Sequence, residues 1–278
     1  MTRTIHRLLV AGLLGALAGV LGAGQALAQQ SQLAQLVAES TLTKATKSKT
    51  LRVGWAQWEP FMYVDPKTNK LTGFTVDLYE NHLAPALGVK IVWVEDSWST
   101  IMAGLQANKF DIVANANRTL KRLLVAEYAG PISRTQKALL ATKQNVGKFQ
   151  GWQSANNPST KICVALGSSA DTAVTASLAK AEIMRLPGDP ACIAALAAGR
   201  TDLYSTDLGN LAALTKEHPE FVVLPNGAFA TTELGIFVKQ GDQIMLNWLN
   251  QYIREIKLDG TVDALIKKYN LQGAQLAW

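Results

Sequence analysis

Between Leu51 and Tyr269 the chain alternates short β-rich runs with amphipathic stretches, joined by short connections. "LRVGWAQWEPF" reads as a strand that runs into a turn at Pro60. "GFTVDLYENHLAPALGV" places Phe74, Leu78, Leu83 and Leu87 near helical spacing and stops at Gly88. "KIVWVE" is a strand, "WSTIMAGLQANK" a helix that Ser97 or Ser99 would cap, and "DIVA" the next strand. The pattern changes between Lys137 and Thr142 and then begins again. "KICVAL", "EIMRL" and "DLYST" read as strands. "SSADTAVTASLAKA", "DPACIAALAAG" and "DLGNLAALTKEHP" read as helices, with Pro190 in a first turn and Asp207 at a helix start. Two amphipathic helices, Gln243–Leu258 and Val262–Tyr269, follow "ELGIFVKQGD". Strand–helix alternation of this kind predicts a mostly parallel α/β sheet. Its restart predicts two α/β lobes.

The first 28 residues stand apart from that pattern. Arg3 and Arg7 precede an apolar run, Leu8 to Ala23, rich in Gly and Ala, and Ala26-Leu27-Ala28 forms a small-x-small signal. This is the layout of a secretory signal peptide cleaved after Ala28. The run falls short of the roughly 20 residues that span a bilayer. No Cys lies at the cleavage point to carry a lipid. The expected organisation is a signal over 1–28, a first lobe over 29–140, a second over 141–233, and a return to the first over 234–278. Residues 29 to 49 are polar and Ala-rich, a loose arm or a short helix.

Export bears on the two cysteines. Cys163 and Cys192 are the chain's only pair, and an oxidising compartment favours a disulfide between them; two separate buried thiols are the alternative. Removing Arg3 and Arg7 lowers the formal charge from +6 to +4. The remaining basic residues are scattered, which gives nucleic-acid binding no support. Three His, at 6, 82 and 218, lie far apart. With so few His and Cys, a zinc site or a Ser–His or Cys–His catalytic pair is not expected, nor is any cofactor.

The stretch "FDIVANANRTLKRLLVAEYAGP" concentrates the chemistry. After Ile112, Val113 and Ala114 the apolar run gives way to Asn115, Asn117, Thr119 and Arg122. These are mostly hydrogen-bond donors, placed where a buried strand would leave the core, as an anion site requires. A guanidinium suits a carboxylate because its fork makes two parallel charge-assisted bonds. "ALGSSADT" supplies a second element. A strand, Gly167, then Ser168 and Ser169 opening a helix give backbone N–H groups and a helix dipole aimed at one place. Asp207 follows a strand at the sheet's carboxyl end, where open α/β folds bind ligands.

Seven stretches, in order, resemble one family: "LRVGWAQWEPF", "KLTGFTVDLYENHLAPALGVKIVWV", "WSTIMAGLQANKFDIV", "NANRTLKR", "VALGSSADTAV", "AAGRTDLYSTD" and "LDGTVDALIKKY". Together they cover nearly all of residues 50–272 and are similar to the family 3 extracytoplasmic solute-binding proteins of polar amino acid ABC transporters. The resemblance implies a bilobed periplasmic-binding-protein fold of type II, hinged by two crossing strands and closing on one small ligand. A monomer that delivers an amino acid to a membrane permease is then expected, with no enzymatic activity.

The resemblance also implies roles. Arg122 matches the residue that clasps the ligand's α-carboxylate, with Thr119 and Asn117 at the family's two Thr positions and Asn115 where Gly or Ser is usual. Ser168 and Ser169 match the lobe-two carboxylate contact, and Asp207 the residue that takes the α-ammonium. Trp58 and Trp98 match aromatics that line the pocket, while Trp55, Trp93 and Trp152 are read as structural. Members that hold cationic ligands carry acids near the positions of Trp55–Ala56 and Thr75. This chain has none there, which favours a neutral polar, aromatic or acidic amino acid. Arg118 could serve an acidic side chain but is expected to point away. Two alternatives use the same fold. One is a sensor protein that binds a ligand for a receptor. The other is a cyclohexadienyl (arogenate/prephenate) dehydratase, with Asp171 at its catalytic acid position but without the Thr-Asn-Glu run of that enzyme.

Overall fold

The computed structural model of the chain describes residues 29–271 and the backbone of 275–276. The expected signal sequence lies outside the described residues. Twelve strands are present there: β1 (Thr50–Trp55), β2 (Tyr63–Asp65), β3 (Lys70–Thr72), β4 (Lys90–Glu95), β5 (Ile112–Asn117), β6 (Glu127–Thr142), β7 (Lys161–Ala165), β8 (Glu182–Leu186), β9 (Leu203–Asp207), β10 (Phe221–Val223), β11 (Ala230–Val238) and β12 (Gln275–Leu276). β2 and β3 form a small hairpin; the others make one long sheet with the order β4-β1-β5-β11-β6-β9-β7-β8.

The sheet is two parallel blocks joined by antiparallel strands. β4, β1 and β5 run parallel, as do β8, β7 and β9. Between them, β11 runs antiparallel to both β5 and β6. β6 is the connection. Its first part, Glu127 to Lys137, pairs with β11, and from Lys137 onward it pairs with β9. One 16-residue strand thus belongs to both blocks, and Lys137 sits at the changeover. The fold is bilobed α/β.

Side-chain alternation explains how each block is filled, because successive residues of a strand face opposite sides. In β5, Ile112 and Ala114 join one core cluster with Leu51 and Val53, while Val113 joins another around Phe110 and Phe237; Ala116 joins that second cluster too, because the pairing with β11 shifts register between Val113 and Ala116. In β7, Ile162 and Val164 face a core with Leu203 and Val174, while Cys163 faces the opposite one with Tyr204 and Leu196. That second face meets the helix Asp189–Ala197, whose Cys192 is joined to Cys163 with Cα atoms 5.5 Å apart. Strands buried on both faces have no polar side to expose. This is why they read as continuous apolar runs.

Most expected strands and helices are present, and two differ in detail. The helix read from "WSTIMAGLQANK" spans only Ile101–Gln106, with Thr100 at its N-cap and no side-chain cap. Ser97 Oγ is turned instead to the hydroxyls of Ser99 (2.8 Å) and Thr100 (2.7 Å). The strand read as ending at Ala114 continues to Asn117, buried throughout, because β11 pairs with it as far as Leu234↔Asn117. Of the two readings for residues 29 to 49, a loose arm or a short helix, the helical one holds: 29–39 and Thr41–Ser48 are helical, with Ser40 between them. The helix Thr41–Ser48 is tied down where Asp242 accepts from Ser40 Oγ (2.9 Å) and Thr41 N (2.7 Å). The helix ending at Gly88 contains a π turn, Tyr79–Leu83, and Gly88 closes it in the left-handed region at φ 64°.

The Cys163–Cys192 bridge closes a 29-residue separation. The Cys163→Ala, Cys192→Ala double variant is expected to lose about 3–4 kcal/mol of stability in the chain-entropy account. Urea unfolding of the oxidised protein and the variant, compared at equal slope, checks this.

Candidate ligand-binding cleft

The carboxyl ends of β5, β7 and β9 meet between the lobes, where open α/β sheets present their functional groups. From the first lobe comes Arg122. Thr119 caps the four-residue helix Leu120–Leu123, its Oγ1 accepting from Arg122 N at 3.3 Å, and the short turn folds the guanidinium back over the strand end. Nη1 donates to Asn117 O at 2.9 Å and Nη2 reaches Gly167 O of the other lobe at 3.5 Å. The guanidinium lies over Trp98, 5.3 Å from its ring. Arg122 is only 6 % exposed. Burial pulls its pKa down to about 10, against the opposing pull of Asp207. Among the described residues no carboxylate lies within ion-pair distance of it.

The second lobe brings a helix N-terminus to the same place. Ser168 caps Ser169–Ser177, its side chain accepting from Asp171 N at 3.1 Å. Ser169 Oγ crosses the cleft to donate to Asn117 Oδ1 at 2.9 Å. Gly167 has φ +73°, and a Cβ there would stand 2.6 Å from Ser99 Cα in the first lobe. Only glycine permits both that backbone and this approach.

The cleft floor holds two groups that the sequence reading missed. Lys137, fully buried, donates from Nζ to Asp207 Oδ1 at 2.5 Å. Asn117 Nδ2 lies 3.4 Å from the same oxygen. Burial lowers the pKa of Lys137, and Asp207 acts against that. The signal was present: Lys137 is a lone cation in phase with Leu139 and Ala141 on one face of a buried strand. The other group is Asp189, the first residue of Asp189–Ala197 and 7 % exposed. Burial raises its pKa to about 6; Asp207 adds to this, while Tyr204 and Lys137 oppose it. A first-turn acid explains itself through the helix dipole, so nothing in the sequence set Asp189 apart.

Trp58, Trp98, Asn117, Arg122, Ser168, Ser169 and Asp207, all singled out from the sequence, therefore line one small, nearly closed cavity with Ala170, Asp189 and Thr206. Trp58 stacks on Phe61 at 3.9 Å and meets Trp98 edge-on. Two candidates lie elsewhere. Asn115 sits deeper, its amide turned to Thr75 Oγ1 at 3.3 Å, and Thr119 is the helix cap. Arg118 is exposed. Trp55 is core, Trp93 bonds Glu80 Oε1, and Trp152 packs on Phe229. Asp171 is also outside the cavity: its carboxylate accepts from Arg185 Nε at 2.8 Å and Gly167 N at 3.2 Å.

Two α/β lobes on shared crossing strands, shut over a small polar cleft, define a ligand-clamping protein. The chain belongs to the bacterial extracellular solute-binding proteins, family 3, whose profile matches residues 51–272. It is similar to a probable histidine-binding protein of Campylobacter jejuni, at 29% identity over 82% of this chain and 88% of the relative. It is also similar to the cyclohexadienyl dehydratase of Pseudomonas aeruginosa, at 26% identity over 80% of this chain and 83% of the relative. Among solved structures, an ancestral amino acid-binding protein described as a precursor of cyclohexadienyl dehydratase matches with a TM-score of 0.76. Its identity is 33%, over 83% of this chain and 99% of that one.

Breaking a buried ion pair from one side leaves the other charge uncompensated, at about 3–5 kcal/mol. Lys137→Met is expected to destabilise by that order, and adding Asp207→Asn to recover most of it. Denaturant midpoints for the two single variants and the double variant check this.

Proposed function

We propose that this chain is the periplasmic binding component of an ABC importer for an amino acid. It is made with a signal peptide cleaved after Ala28, works as a monomer and hands its ligand to a membrane permease. In this reading the lobes comprise residues 29–140 with 234–278, and 141–233. The ligand is an α-amino acid whose side chain is neutral polar, aromatic or acidic. Its carboxylate lies between Arg122 and the N-terminus of Ser169–Ser177, its side chain against Trp58 and Trp98, and its amine toward the acidic floor of Asp207 and Asp189.

The observation that carries this reading is the state of Arg122. A guanidinium buried between two lobes, hydrogen-bonded among the described residues to two backbone carbonyls and lying over Trp98, lacks the anion that would complete it. A carboxylate there would meet the guanidinium and the free N–H groups of a helix start together. A ligand touching both lobes favours the closed arrangement over the open one, which is how binding becomes a signal. The bonded state of Asp171 supports a binder over a dehydratase, since the carboxyl proposed as catalytic is held by Arg185.

A thermal-shift panel of amino acids on the purified protein tests the reading, because a ligand that binds only the folded state raises the midpoint. One or two neutral, aromatic or acidic L-amino acids are expected to shift it strongly. Arg122→Ala is expected to weaken the best of them by about a hundredfold, the worth of a pair of charge-assisted hydrogen bonds. Unchanged affinity in the variant contradicts the clamp. A panel led by lysine or arginine contradicts the side-chain class and points to Glu59 and Glu217, which with Asp189 line the adjoining cavity.

A further inference from the structure

Asp207 is the acid that the family resemblance assigns to the ligand's amine, yet its Oδ1 is already engaged. Lys137 Nζ sits 2.5 Å away, buried and fixed by the strand pairing Lys137↔Asp207. An arriving ammonium would compete with a resident one. The other acid of the cavity is differently placed. Asp189 is more than nine-tenths buried and lines the same cavity as Arg122, Ser168 and Ser169. Its Oδ2 has no hydrogen-bond partner among the described residues. The Tyr204 hydroxyl faces the same carboxyl, yet Oδ2 makes no hydrogen bond of full geometry, and a buried carboxylate oxygen left so is costly; a ligand nitrogen is a donor that would lower the cost.

We propose that Asp189, and not Asp207, is the acceptor for the ligand's α-ammonium, with Lys137 neutralising Asp207 from behind. This rests on the amino acid reading of the cleft given above. The charge balance agrees with it. In the closed cleft Arg122 pairs with the ligand carboxylate, Lys137 with Asp207, and Asp189 with the ammonium, so no buried charge is left over.

The assignment has a consequence for pH. The groups that act on Asp189 are Lys137 from β6, Tyr204 and Asp207 from β9, and burial itself, with Arg122 lining the same cavity and Glu59 and Glu217 the adjoining one. Together they hold its carboxyl near 6 in the empty cleft. Pairing with an ammonium requires the ionised form. Above that pH the carboxylate is ready. Below it, each binding event must first expel a proton, so affinity for an amine-bearing ligand falls by about tenfold per pH unit.

The test is calorimetry with three matched pairs that differ only at the α-substituent: L-phenylalanine and L-phenyllactate, L-serine and L-glycerate, L-aspartate and L-malate. For the amino acid that binds, affinity is expected to drop about fivefold between pH 6 and 5, approaching tenfold per unit only below that, with close to one proton released per ligand near pH 5. Its hydroxy partner is expected to show neither. Asp189→Asn should weaken the amino acid by tenfold or more at pH 7.5, flatten its profile, and leave the hydroxy acid within about twofold. If the variant does not fold, proton release by the wild type, read in buffers of different ionisation enthalpy, decides alone. Amino acid binding with a flat profile and no released proton overturns the assignment and leaves the clamp intact. Amino acid affinity within twofold in Asp189→Asn does the same. No binding by any of the six overturns the cleft reading itself, and this assignment with it.

Discussion

Three ionisable groups, Arg122, Asp189 and Asp207, line one buried cleft, and of these Asp207 alone has an ion-pair partner among the described residues, the buried Lys137. Charges removed from water must be matched or neutralised. The remaining cation and acid therefore set the problem that the rest of the architecture addresses. The lobes bring them together from opposite sides of the hinge: Arg122 from the end of β5, Asp189 from the start of a helix packed on β7 and β9. A zwitterion offers the complementary pair. The aromatic wall of Trp58 and Trp98 excludes water from the same space, which strengthens each interaction inside it.

The crossing strand gives this arrangement its mechanical sense. β6 pairs with β11 on one side of Lys137 and with β9 on the other, so the ion pair sits where the two blocks join. The polar contacts that shut the cleft include Ser169 to Asn117, Asn117 to Asp207, Arg122 to Gly167, and Asn210 to the carbonyl of Glu59. Contacts of that kind exchange readily with water, each with a net worth of about 1 kcal/mol. A ligand bonded to both lobes adds a differential interaction large enough to shift the balance toward closure.

Much of this was legible in the sequence. Strand–helix alternation gave the bilobed α/β fold, the polar residues at strand ends gave five of the cavity's lining side chains, and the family resemblance added Trp58 and Trp98. What stayed hidden has a physical cause in each case. Lys137 lies in an apolar run whose alternation shows that it is buried but not which partner waits on the next strand. Asp189 opens a helix, where an acid needs no further explanation. Asn115 reads in the sequence like Asn117, but its amide donates to Thr75 Oγ1, a partner far away in the chain. Ser97 and Ser99 satisfy the composition rule for a cap but bond to each other's neighbourhood instead of the helix.

The most direct test of the central claim is a crystal structure of the protein with the L-amino acid that gives the largest thermal shift. The account predicts one molecule between the lobes, its carboxylate within hydrogen-bond distance of the Arg122 guanidinium and of the backbone N–H groups that open Ser169–Ser177. A ligand held outside the cleft, or one inside it whose carboxylate leaves Arg122 bonded only to the carbonyls of Asn117 and Gly167, would contradict it.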